Sequence, residues 1–199
     1  MSEALTKASM TQLEKTKCKK HLTNPAKPAI IKILQKRKEM MIMIKEIVFD
    51  MDGTIADLYG VENWLPKLRS YDPTPYQTAE PLVDMAELAC LLRSLQNCGI
   101  NVAVITWLSK EPNKQYDDEV RKAKRAWLKS YGFPFDSLRC VAYGTPKHKI
   151  EAARLAADEE ALIFDDDARV RRDWDLGGAI DPTTTNILDV LREILSGLE

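Results

Sequence analysis

Short apolar runs alternate along this chain with stretches in which apolar residues return every third or fourth position. Ile42 to Phe49 is such a run, ending on Asp50, and reads as a strand buried on both faces. Leu82 to Gln96 has helical spacing (Leu82, Met85, Leu88, Ala89, Leu92, Leu95), and Asn97-Cys98-Gly99 supplies its stop. Asn101 to Thr106 reads as a second buried strand. Tyr116 to Tyr131 is a charged amphipathic helix closed by Gly132. Leu138 to Tyr143 is a third strand and Lys149 to Ala157 a helix. Ala161 to Phe164 is a fourth strand running straight into Asp165-Asp166-Asp167. Gly178 to Ile180 is a short fifth, and Ile187 to Leu198 a closing helix. Between the first strand and the first helix, Pro66, Pro73, Pro75 and Pro81 leave no room for a long element.

Strands alternating with helices predict an α/β fold: a doubly wound, mainly parallel, Rossmann-like sheet with helices on both faces. Ligands of such sheets bind in the crevice at the carboxyl ends of the strands. The residues expected there are Asp50, Asp52, Thr106, Asp165 and Asp166.

Composition adds a division. With 199 residues, 45% of them apolar and 30% charged, the chain is in the globular range. Residues 1–45 carry 11 Lys+Arg against three Asp+Glu, a net +8; residues 46–199 carry 18 against 27, a net −9. A basic, weakly structured extension over 1–44 is therefore expected ahead of an acidic domain over 45–199. Lys17, Lys19, Lys20, Lys36, Arg37 and Lys38 would suit a nucleic-acid-binding arm. The preferred reading is a passive extension, since Met40, Met41 and Met43 stand just before the first strand and the acidic centre needs nothing from the leader.

Cys18, Cys90, Cys98 and Cys140 form no CxxC pair, and Cys90 and Cys98 fall in an apolar helical stretch where buried free thiols are expected. No apolar run approaches the roughly 18 residues of a membrane span, and no secretory signal is visible. A reduced, cytoplasmic protein without a membrane partner is expected.

Alternate residues of an extended segment point the same way, so the carboxylates of Asp50-Met51-Asp52 face one crevice. Two such charges need a cation or a shared proton between them. Oxygen-only ligands favour Mg²⁺, and Asp165 and Asp166 supply more of them. An Asp can attack phosphorus and divide hydrolysis into two displacements, while a neighbouring carboxyl protonates the leaving oxygen. The phosphoryl group needs donors; Thr106 with the adjoining Trp107, and a lysine from Thr145-Pro146-Lys147-His148-Lys149, would serve. Lys147 is favoured over Lys149 because Gly144-Thr145-Pro146 looks like the loop that delivers it. His148 shows no evident partner, and Arg169 to Trp174 reads as the solvated start of the next segment, with Arg169 or Arg172 reaching over the crevice as the lesser reading.

The strand followed by Asp50-Met51-Asp52-Gly53-Thr54 resembles the first motif of the haloacid dehalogenase (HAD) superfamily. Thr106 resembles its second motif, Lys147 its third and Ile163-Phe164-Asp165-Asp166 its fourth, in family order. The resemblance implies Asp50 as nucleophile and Mg²⁺ ligand, and Asp52 as general acid/base that also binds Mg²⁺ through its backbone carbonyl. It implies Thr106, Trp107 and Lys147 around the phosphoryl group, and Asp165 and Asp166 completing the metal site. Gly53 to Leu58, Thr106 to Ser109 and the helix with Lys124, Arg125 and Trp127 are similar to the 5′(3′)-deoxyribonucleotidase branch and to small phage-type HAD phosphatases. That implies a small phosphorylated substrate, with a (deoxy)nucleoside monophosphate foremost. The insert at about 58–81 is shorter than the cap of those nucleotidases, and its aromatics Tyr59, Trp64, Tyr71 and Tyr76 either stack on a base or pack a miniature cap.

Two other functions compete: a polynucleotide end phosphatase, and an idle HAD-fold binding module with a nucleic-acid-binding leader. Retention of Asp50, Asp52, a lysine and Asp165 together argues against idleness. A phospho-receiver module shares the residue types but places its acidic pair and acceptor Asp before Thr and Lys, whereas here a second acidic cluster follows them.

Overall fold

A computed structural model describes residues 44–111 and 113–198. The leader expected over 1–44 lies outside the described residues, Ile44 excepted, as does Cys18. Five strands form one parallel sheet: β1 (Ile44–Phe49), β4 (Asn101–Trp107), β5 (Ser137–Val141), β6 (Glu160–Phe164) and β7 (Ala179–Ile180). Their spatial order is β5-β4-β1-β6-β7. Val48 of β1 pairs with Ala103 of β4 on one side and Ile163 of β6 on the other. From central β1 the chain winds first to β4 and β5, then returns to β6 and β7. That reversal puts the switch-point crevice at the carboxyl end of β1, where doubly wound sheets bind ligands.

Both faces of the sheet are covered, which is why its strands read as continuous apolar runs. On one face Ile47, Phe49, Val102 and Val104 pack against Leu88, Leu92 and Leu95 of α3 (Met85–Asn97), and Leu191 and Ile194 of α7 (Ile187–Leu198). On the other, Val48, Ala103, Ile105 and Ile163 meet Val170 and Trp174. Helix α3 begins where Asp84 accepts from the amides of Ala86 and Glu87, a cap that satisfies donors left over by the first turn. This is three residues later than the apolar spacing alone suggests, because Leu82 belongs to the preceding loop. Cys90 and Cys98 are exposed rather than buried: the stripe runs through 85, 88, 92 and 95, and Cys98 is the cap residue beyond the last turn.

The proline-punctuated stretch holds two short helices, α1 (Trp64–Arg69) and α2 (Thr74–Thr78), bracketed by a small antiparallel pair, β2 (Ala56–Asp57) and β3 (Glu80–Pro81). It is fastened to α4 (Lys114–Ser130), whose Trp127 Nε1 donates to Ala79 O at 2.7 Å and whose Tyr116 hydroxyl donates to Asp72 O at 3.3 Å. One further helix is shorter than expected, and another forms where the solvated start of the next segment is expected. Helix α5 spans Lys147–Ala152, starting after Pro146, whose fixed φ suits a helix entry. Helix α6 (Ala168–Asp173) is capped by the Asp167 side chain accepting from Arg169 N. Among the described residues no helix is long and apolar enough to cross a membrane.

Candidate active site

Asp50 is the first residue beyond β1, and its amide still pairs with Phe164 O of β6 at 2.9 Å. The ladder thus carries Asp50 and Asp165, the first residue beyond β6, to the same edge. Lys147 Nζ, at the start of α5, bridges the two, donating to Asp50 Oδ1 at 2.5 Å and Asp165 Oδ2 at 2.7 Å. All three are nearly inaccessible: 6% exposed for Asp50, 2% for Lys147 and 1% for Asp165. Burial alone would disfavour the ammonium. The charges of Asp50 and Asp165 outweigh it and hold Lys147 above the ordinary lysine range. Lys149, two residues on, is exposed.

Trp107 ends β4 and organises this corner. Its Nε1 donates to Thr145 O at 3.0 Å, fixing the loop that presents Lys147, and its ring lies 4.9 Å from Lys147 Nζ. Thr106 is fully buried, and its hydroxyl accepts from Lys124 Nζ at 2.7 Å. Unlike Trp107, it does not line the cavity above Asp50.

After Asp50 the chain folds back at once: Gly53 N donates to Ala56 O at 2.8 Å and Ala56 N to Met51 O at 2.9 Å. Gly53 has φ +84°, and a Cβ there would come within 2.5 Å of Asp166 Oδ2. Glycine is therefore required twice, for backbone conformation and for the approach of the second acidic cluster. Asp166 N donates to Thr54 Oγ1 at 3.2 Å, tying the two acidic loops together. Arg171, from α6, donates to Asp165 O at 2.7 Å and pairs with Asp181 at 2.5 Å. The arginines weighed for a role over the crevice are engaged elsewhere, Arg169 with Asp167 and Arg172 with Asp173.

One carboxylate oxygen from each of Asp50, Asp165 and Asp166 lies within 4.8 Å of the others. Burial, then the charge of Asp50, pushes Asp165 up to about 7 and Asp166 to about 6. Asp165 and Asp166, crowded against Asp50 and holding protons so far above the usual range, want more positive charge than Lys147 brings, and an all-oxygen set suits a hard divalent cation such as Mg²⁺. Asp52 lies beside them, its carboxyl also pushed up by burial, against the pull of the Lys124 ammonium, to which it is hydrogen-bonded. Lys124 is the member that motif reading missed, because it comes from the middle of a charged helix.

Asp50, Asp52, Lys147, Asp165 and Asp166 line a cavity of about 610 Å³. Its walls include Tyr59, Trp64 and Tyr71 from the insert, and Trp107 and Tyr143 from the sheet side. Tyr59 and Tyr71 keep exposed rings, whereas Tyr76 is 3% exposed and is packing, its ring 4.8 Å from Lys124 Nζ.

No protein-family model matches the sequence, and no curated protein does. Among solved structures, the chain is similar to a candidate HAD-like phosphatase from Mesorhizobium loti, at 18% identity and a TM-score of 0.48, over 78% of this chain and 86% of that one. A candidate HAD superfamily (subfamily III A) hydrolase from Legionella pneumophila matches at 16% identity and TM-score 0.45, covering 85% and 90%. D,D-heptose 1,7-bisphosphate phosphatase from Burkholderia thailandensis matches at 17% and 0.42, covering 67% and 74%. Likeness at this level concerns architecture, and the functional reading below rests on the side chains.

Proposed function

We propose that the chain is a phosphomonoester hydrolase acting through an aspartyl-phosphate on Asp50. The observation that carries this reading is Lys147 bridging Asp50 and Asp165 at the carboxyl edge of a parallel sheet, with Asp52 opening on the same cavity.

In the first displacement an Asp50 carboxylate oxygen bonds to phosphorus as the bond from phosphorus to the leaving oxygen breaks. Asp52 gives its proton to that oxygen, so the leaving group departs as an alcohol. In the second, Asp52 takes a proton from a water whose oxygen bonds to phosphorus. The phosphorus–Asp50 bond breaks, and phosphate and the free carboxylate are restored. Lys147 offers positive charge to the phosphoryl oxygens, with the Thr106–Trp107 strand end beside it. Asp50, Asp165 and Asp166, with the Asp52 carbonyl, are the residues that would hold Mg²⁺, which when bound supplies charge neutralisation for the phosphoryl group.

In this reading residues 58–81 serve as a minimal cap. The foremost substrate class is a (deoxy)nucleoside monophosphate: the cavity is of ordinary ligand size, and the exposed rings of Tyr59 and Tyr71 offer faces to a flat base.

Phosphate release from p-nitrophenyl phosphate should require Mg²⁺ and vanish in Asp50→Asn. Retained activity overturns the chemistry. Deoxynucleoside monophosphates should outperform sugar phosphates in a substrate panel, and equal or reversed rates overturn the substrate class alone.

A further inference from the structure

Lys124 is 0% exposed and lies on the face of α4 turned toward the sheet and the insert, beside Val120, Ala123 and Trp127. A buried ammonium persists only where its three protons all find acceptors. Here they find Asp52 Oδ2, Thr106 Oγ1 at 2.7 Å and Trp107 O at 3.0 Å, with the Tyr76 ring completing the enclosure. One cation thus ties the loop after β1 to the end of β4.

Lys124 does not line the cavity, whereas Asp52 does. The ammonium reaches the reacting atoms only through that carboxylate. Asp52 has two oxygens, and Oδ2 is committed to Lys124; Oδ1 takes no hydrogen bond from a described residue, and the side chain is 15% exposed. Fixing one oxygen sets both side-chain torsions, so the free oxygen is aimed rather than left to rotate. Catalytic groups held loosely lose much of their advantage, since proton transfer demands hydrogen-bond distance to the receiving atom.

We propose that Lys124 is a positioning residue for protonation of the leaving group: by holding Asp52 Oδ2 it aims Oδ1 at the oxygen between phosphorus and the departing alcohol. The inference rests on the phosphomonoesterase reading and adds to it a residue outside the four motifs.

The test uses two substrates of nearly one shape, phenyl phosphate and p-nitrophenyl phosphate, with the full chain at saturating Mg²⁺. Phenol is the more basic leaving group and depends on a proton; p-nitrophenolate departs readily without one. Lys124→Met keeps the buried stem and removes the charge. It should lower kcat/KM, which reports the first displacement, for phenyl phosphate by about 100-fold, the lower end of the range for a general acid, while p-nitrophenyl phosphate falls less than about tenfold. Lys124→Arg should recover part of the phenyl phosphate loss. The second displacement is common to both substrates and drops out of kcat/KM, and a residue that merely supports the fold would lower kcat/KM for both alike, so an equal loss overturns the proposal. Where circular dichroism shows Lys124→Met unfolded, the ratio of the two rates in Lys124→Arg against the parent decides: an unchanged ratio overturns it. Failure of the underlying reading looks different, since the parent chain would then hydrolyse neither substrate or Asp50→Asn would hydrolyse both.

Discussion

Glu46 lies in β1, four residues before Asp50, with 3% of its surface exposed. Its carboxyl is hydrogen-bonded to Glu151 of α5, itself 0% exposed, and the guanidinium groups of Arg139 and Arg154 each approach it to 3.6 Å. Arg139 is engaged more closely by Glu151, at 2.8 Å. Burial, then the hydrogen bond and charge of Glu151, push the Glu46 carboxyl from 4.5 to about 7, against the two arginines. Folding therefore takes up a proton between those values. The associated stability is fully present below pH 4.5 and is lost as pH rises through about 7. At about 1.4 kcal/mol per pH unit, the interval sets a ceiling of about 3.5 kcal/mol. The Arg154 side chain is 40% exposed, so water screens part of this site, and about 1–2 kcal/mol is the reasonable expectation. Glu46→Gln keeps the shape, can still donate to Glu151 and never ionises. At pH 8 it should exceed the parent by that amount, or about 3–6 °C in Tm for a domain of this size; the gap should narrow steadily as pH falls toward 4.5. Thermal unfolding followed by circular dichroism from pH 5 to 8.5 measures the difference, in which the acidic cluster of the cavity cancels. A difference that does not grow with pH, or a variant less stable than the parent at pH 8, would refute the account.

Three further outcomes follow from the cavity. Adding Mg²⁺ should raise Tm, with EDTA reversing it, and the rise should be larger at pH 8 than at pH 5.5, because the protons Asp165 and Asp166 hold up to about 7 and about 6 must leave before a cation enters; a rise independent of pH counts against these carboxylates as ligands. Gly53→Ala forces a side chain onto a backbone at φ +84° and against Asp166, so a loss of about 1–2 kcal/mol and weaker Mg²⁺ stabilisation are expected in the same melts. Lys147→Met should abolish turnover of p-nitrophenyl phosphate, because it removes the charge shared by Asp50 and Asp165, whereas Lys149→Met should leave it within about twofold, as expected of a surface position.

What could be read from the chain beforehand follows from where each residue's constraint lies. Asp50 and Asp165 were legible because a parallel strand buried on both faces is a run of apolar residues, and the first acid after it marks the sheet's edge. Lys147 was separable from Lys149 because Pro146 marks where the backbone turns into α5. The bounds of α3 and α5, and the existence of α6, were not legible, since they depend on single capping contacts such as that of Asp167 with Arg169 N. Lys124 sits among the six basic residues of α4 and reads as one more solvated charge. Yet Tyr116, Val120, Ala123, Trp127 and Leu128 place the helix's buried stripe, and position 124 falls on it, four after Val120 and three before Trp127. A lysine on an apolar stripe needs an anion across the interface, and the acidic loops are the element that lacks cations. Glu46 on β1 and Glu151 on α5 are likewise charged residues at buried positions. Periodicity thus locates such groups; only the packing of α4 against the β1 loop says that the partner of Lys124 is Asp52, and hence that its charge reaches the candidate active site.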